Sequence, residues 1–149
     1  MKRININSTG AFSLVELAIG LAVLTVLILA VSMSAGLRDN ARVQSAANSV
    51  QTLRSAAESY LALGKVSFSG VSVEALKTAK LLPDTFDAAA SNPWGGKFDV
   101  SSNPVDNTRF DISLNSLVKT EADKLSNYFN NSASKVNYDE ASTTWTATF

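Results

Sequence analysis

The feature that most constrains this chain is an apolar run from Phe12 to Leu37 that a single acid, Glu16, interrupts. From Leu17 to Leu37 a helix rising ~1.5 Å per residue would cover about 31 Å, the thickness of a bilayer's hydrocarbon core. The run is too long for the ~7 to 15 apolar residues of a cleaved secretory signal, and helical rather than loop-forming sequence follows it. It reads as a membrane segment that stays in the chain. Lys2 and Arg3 stand before it and most of the sequence after it, so the positive-inside rule places the N-terminus in the cytoplasm and the rest outside.

Past Arg38 the apolar residues do not stop but thin to one stripe: Ala41, Val43, Ala46, Ala47, Val50, Leu53, Ala57, Tyr60 and Leu61. Spacings of three and four place them along one helix face. No proline intervenes and Gly64 is a natural stop. The expectation is one helix over 12–63, about 78 Å at ~1.5 Å per residue, with 12–37 spanning a membrane and 38–63 carrying a small domain on its stripe.

Residues 64–149 suit one small head. A short helix is expected over Val73–Lys80, between Ser72 and Pro83. Strands at Lys97–Val100 and Arg109–Leu114 flank a Ser/Asn/Pro/Asp turn. A helix over Leu117–Asn130 would turn Leu117, Leu125, Tyr128 and Phe129 inward. Val136, Tyr138, Trp145, Ala147 and Phe149 alternate as in a last hairpin with its turn at Asp139–Ser142. The fold class read from this is α+β: a long N-terminal helix, half transmembrane and half amphipathic, packed on an antiparallel sheet of about four strands.

Composition narrows function. With 149 residues, a net charge of zero, no cysteine and no histidine, the chain has no basic field for nucleic acid, no thiol or imidazole chemistry and almost no zinc ligand set. Asp84, Asp87, Asp99, Asp106 and Asp111 are acids beside turns, without the loop spacing of a calcium site. Ser13 and Ser32 lie on the apolar helix, where a hydroxyl back-bonds to the preceding turn. Trp94, between Pro93 and Gly95, reads as a plug closing the sheet against the helix. No catalytic, cofactor or metal residue is expected, and no enzyme.

Glu16 is costly where it stands, roughly 2.5 to 3.5 kcal/mol on insertion scales, so it either reaches interfacial water or meets a partner charge. The stretch Gly10-Ala11-Phe12-Ser13-Leu14-Val15-Glu16-Leu17 resembles the class III signal of type IV pilins: a short basic leader, a small residue, an apolar first mature residue, and glutamate at the fifth mature place. The resemblance implies that residues 1–11 are a leader, cut by a prepilin peptidase between Ala11 and Phe12. It implies N-methylation of the new amine at Phe12, which would pair with Glu16 of a neighbouring subunit. The family prefers glycine before the cut, so cleavage between Gly10 and Ala11 stays open as the second site.

Further on, Ser91-Asn92-Pro93-Trp94-Gly95-Gly96-Lys97-Phe98-Asp99-Val100 is similar to the hairpin entry of the type IVb branch, the bundle-forming and toxin-coregulated pilins. That branch carries a cysteine where Ala122 stands, so here packing, through Trp145 and Phe149, would have to replace a disulfide. The resemblance implies a structural subunit, inserted in the bacterial inner membrane as a precursor and then assembled on a platform into an extracellular homo-oligomeric filament. Gly20, Ala22, Ala30 and Gly36 would allow close helix packing. A type II secretion pseudopilin, or a membrane-anchored binding module that never polymerises, is the alternative.

Overall fold

The computed structural model of the chain describes residues 13–83, 86 and 92–149, and within its first helix the side chains of 30 and 32–35 lie outside that description. The chain divides into two compact units, the first ending at Arg38 and the second covering Asp39–Phe149.

One helix, α1, runs without interruption over Leu14–Leu61. Its first part turns apolar side chains outward on every side: Leu17, Ile19 and Leu29, on three different faces, are 66%, 59% and 59% exposed. Among the described residues no helix is long and apolar enough to cross a membrane. The span expected over 12–37 includes residue 12 and the side chains of 30 and 32–35, which lie outside that description.

In the second unit the stripe is realised on α1. Val43, Ala46, Ala47, Val50, Leu53, Ala57 and Tyr60 are buried as expected, Ala56 joins them, and Ala41 is exposed. Ala41 falls off the three-and-four ladder that Val43 and Ala46 begin, so it turns to the opposite side. The helix ends where Gly64 takes a φ of +83°, a left-handed conformation that costs glycine little.

Helix α2 is Val73–Thr78, capped by the Ser72 hydroxyl, which accepts from Ala75 N at 3.1 Å. Strands β1 (Phe98–Ser102), β2 (Phe110–Leu114), β3 (Lys135–Asp139) and β4 (Thr144–Thr148) form one antiparallel sheet in the order β1-β2-β4-β3. The central pair, β2 and β4, is the most buried: Phe110, Ile112 and Leu114 alternate inward, opposite Trp145 and Ala147. Helix α3 (Lys119–Phe129) buries Ala122, Leu125 and Phe129. Tyr128, expected inside, is half-exposed, because those three define a face that Tyr128 misses by one residue.

No disulfide closes this head, and aromatic packing holds its last strand. Trp145 is fully buried, stands 5.7 Å from the Phe129 ring and donates its indole N–H to Ser126 Oγ at 2.9 Å. Phe149 lies against Phe110 and Phe129, with ring centroids 5.7 Å and 6.0 Å away. Arg54 of α1 sits over the Phe149 ring and also reaches Ser132 O at 3.3 Å, joining helix to sheet.

Asp106 lies between β1 and β2 and Asp139 ends β3, each beside a turn, whereas Asp99 and Asp111 lie within β1 and β2. Asp106 has its carboxyl held below the usual range first by the Thr108 hydroxyl, and Asp139 likewise first by the Ser142 hydroxyl. A folded-state value below the unfolded one contributes stability at neutral pH that is lost as pH falls through the folded value. The melting temperature of the head is therefore expected to fall as pH drops below 3.8, the ordinary aspartate value. Replacing both residues by asparagine should flatten that acid limb in a pH series of thermal melts; an unchanged limb would place the sensitivity elsewhere.

Candidate functional site: the start of helix α1

Ser13 and Glu16 build the beginning of α1 together. The Ser13 hydroxyl accepts from Val15 N at 3.1 Å and Glu16 N at 3.4 Å, while the Ser13 N–H donates back to Glu16 Oε2 at 3.2 Å. Ser13 O accepts the first helical bond, from Leu17 N at 3.1 Å. This is a capping box, which satisfies donors that a helix start leaves without partners. The carboxylate in the first turn also faces the positive end of the helix dipole.

Ser13 therefore does not back-bond to a preceding turn; it is the cap. Its signal was in the sequence as Ser-x-x-Glu directly before an apolar run. Thr25 instead makes the back-bond, donating to Leu21 O at 2.8 Å. Gly10, Ala11 and Phe12, expected to carry cleavage and methylation, lie outside the described residues, as does the side chain of Ser32. Glu16 is thus the only expected site residue within the described part, and it is exposed.

The head supplies a second candidate region where β1 begins. Asn92, the only buried polar residue among those described, accepts at Oδ1 from Trp94 N (3.0 Å) and Gly96 N (2.9 Å) and donates from Nδ2 to Asn115 O at 2.7 Å. Gly95 has a φ of +86°, and a Cβ on Gly96 would strike the Asn115 backbone. Asn-Pro-Trp-Gly-Gly is thereby accounted for as a tight hairpin entry whose residues are spent on the turn. Trp94 is half-buried against the core, with no hydrogen-bond partner for its indole N–H among the described residues.

The described acids do not converge. Asp111 accepts from Asn103 Nδ2 at 3.0 Å and from Thr148 Oγ1 at 2.6 Å, Asp106 closes the β1–β2 turn, and Asp84 and Asp87 lie outside the described residues. Among the described residues no group of acids could hold a metal ion. The chain finds no match among protein-family models, curated proteins or solved structures.

Proposed function

We propose that this chain is a type IV pilin-like structural subunit, anchored by the apolar part of α1 and assembled through it into a homopolymeric filament after a prepilin peptidase removes residues 1–11. The observation that carries the reading is the two-part α1: apolar on every side up to Leu29, then packed by a single stripe into an α+β head. An apolar surface of that extent needs lipid or other chains against it. One helix offers both in succession, with the membrane holding the precursor and neighbouring copies replacing lipid in the filament. The full span, Leu17–Leu37, belongs to this proposal.

In this reading the cut between Ala11 and Phe12 frees a cationic amine, and the amine pairs with Glu16 of a neighbour. Such a pair in a helix core sets register more than it adds net stability, since desolvation offsets most of the attraction. Before cutting, Glu16 is occupied by its own Ser13 N–H. That bond uses Oε2 alone, so assembly would add the intersubunit pair through the other carboxylate oxygen.

The same bond favours a second reading, a membrane-anchored module in which Glu16 serves only its own helix. Two variants separate them. Ser13→Ala removes the hydroxyl half of the cap, a loss of about 1 kcal/mol at the helix start, yet leaves Glu16 free to pair, so filaments are expected to form. Glu16→Ala is expected to abolish filaments in electron micrographs of sheared surface material while the precursor still accumulates in membranes. Normal filaments from Glu16→Ala protein would sink the pairing.

A further inference from the structure

Inside the second unit a groove of about 560 Å³ follows α1, lined on one side by the helix and on the other by Leu81 and Pro83 of the chain that leaves α2. The helix side is a polar ridge: Asn48, Thr52, Ser55 and Ser59 recur at spacings of four, three and four, and Gln51 stands beside them. At ~1.5 Å per residue the ridge is about 16 Å long. Thr52 Oγ1 donates to Asn48 O at 2.9 Å and Ser59 Oγ to Ser55 O at 2.8 Å, so both protons are spent and both oxygens are left to accept. Asn48 is the reverse, because its Oδ1 accepts from Gln44 Nε2 at 3.3 Å and its own amide N–H groups are left to donate. The side chains of Gln51 and Ser55 make no hydrogen bond among the described residues. None of the described residues that line the groove is charged.

We propose that this groove binds a neutral oligosaccharide. Its volume falls within the ~300–1,000 Å³ of ordinary ligand sites. With no charge on its walls it has nothing to offset the desolvation of a phosphate, a carboxylate or an ammonium group, which argues against ionic ligands. A sugar hydroxyl both donates and accepts, as the ridge does, and the C–H face of a pyranose ring suits Leu81, Pro83 and the buried Ala56 that also lines the groove. An extended peptide is served less well. It pairs with a free strand edge, whereas the backbone N–H and C=O groups of α1 are spent inside the helix. Polar side chains repeated along the ridge favour a chain of sugars over a single ring. The groove belongs wholly to the head, so binding needs neither processing nor assembly.

The test is a titration of the full-length chain, held in a detergent without a sugar headgroup, with maltotriose and with triacetylchitotriose, followed by NMR shifts of backbone and side-chain amides. At least one trisaccharide is expected to bind with a Kd on the order of 1 mM or tighter, moving the signals of Asn48, Gln51 and Ser55 most. The Gln51→Ala, Ser55→Ala double variant removes two exposed hydrogen-bonding side chains and leaves the core untouched. It should keep the parent's spectrum elsewhere and bind about tenfold more weakly, the loss expected for two hydrogen bonds. Failure of both trisaccharides to bind, shifts centred away from the ridge, or undiminished affinity in the folded double variant overturns the proposal. Acetyl-trialanine amide filling the groove where the sugars do not also overturns it, and would make the groove a peptide site.

Discussion

Replacing Trp145 by alanine is expected to lower the stability of the head by about 3–5 kcal/mol, the range for truncating a large buried aromatic. The side chain is fully buried in β4, packs on Phe129 and donates to Ser126, whose hydroxyl in turn donates to Ala122 O at 2.7 Å. Alanine would leave a cavity between α3 and the sheet where no disulfide compensates. For a head of this size the midpoint should drop by on the order of 15 °C in far-ultraviolet circular dichroism melts. Trp145→Phe keeps most of the ring contact and loses only the hydrogen bond, so it should cost about 1 kcal/mol. A loss below about 1 kcal/mol for the alanine variant would mean that β4 is held by something other than this packing.

The second large effect is expected at Asn92. Its buried amide serves two backbone N–H groups and one carbonyl, through one buried and two half-buried hydrogen bonds, so Asn92→Ala strands three polar groups at once. Stranding a buried donor or acceptor costs about 1–3 kcal/mol, and a total of about 3 kcal/mol or more is expected in denaturant unfolding, with faster amide exchange at Gly96. Asn92→Asp keeps the acceptor for Trp94 N and Gly96 N but sets a carboxylate against Asn115 O. It should also destabilise, most strongly where the carboxylate is charged. A neutral effect for both variants would show that the turn is fixed by Gly95 and Gly96 alone.

Much of this architecture was legible because each element carries its own period and its own punctuation. The Val43–Tyr60 stripe, the Ser72 cap, the alternation around Trp145 and the Asp139–Ser142 turn led to the observed helix, cap, strands and hairpin. Apolar character misleads where a residue lies off the buried face: Ala41, on the opposite side of α1, turns to solvent, and Tyr128, one residue from the buried face of α3, turns half out. Ala56 was missed for the opposite reason, since a small residue gives little hydrophobic signal and is buried because its neighbours Leu53 and Ala57 are.

The site was legible in a narrower sense. A carboxylate at the start of an apolar helix announces that it needs a partner, but chain periodicity cannot say which. The class III resemblance sets Glu16 against a charge on another chain, and the geometry supplies a nearer partner, the Ser13 N–H. The two are compatible, since the cap contributes about 1 kcal/mol and leaves one carboxylate oxygen uncommitted. A buried charge pair, by contrast, is costly to break once formed. The cap describes the isolated chain, and the pair is what the proposed filament adds.

The most direct test of the filament account is the intact mass, with N-terminal fragmentation, of protein sheared from the cell surface. The account predicts a chain that begins at Phe12 with one methyl group on its amine. A start at Ala11 would keep the processing and move Glu16 to the sixth place. A chain that still begins at Met1, or one cut beyond Leu37, would contradict the account, because the apolar helix would then be either an uncut anchor or a discarded signal.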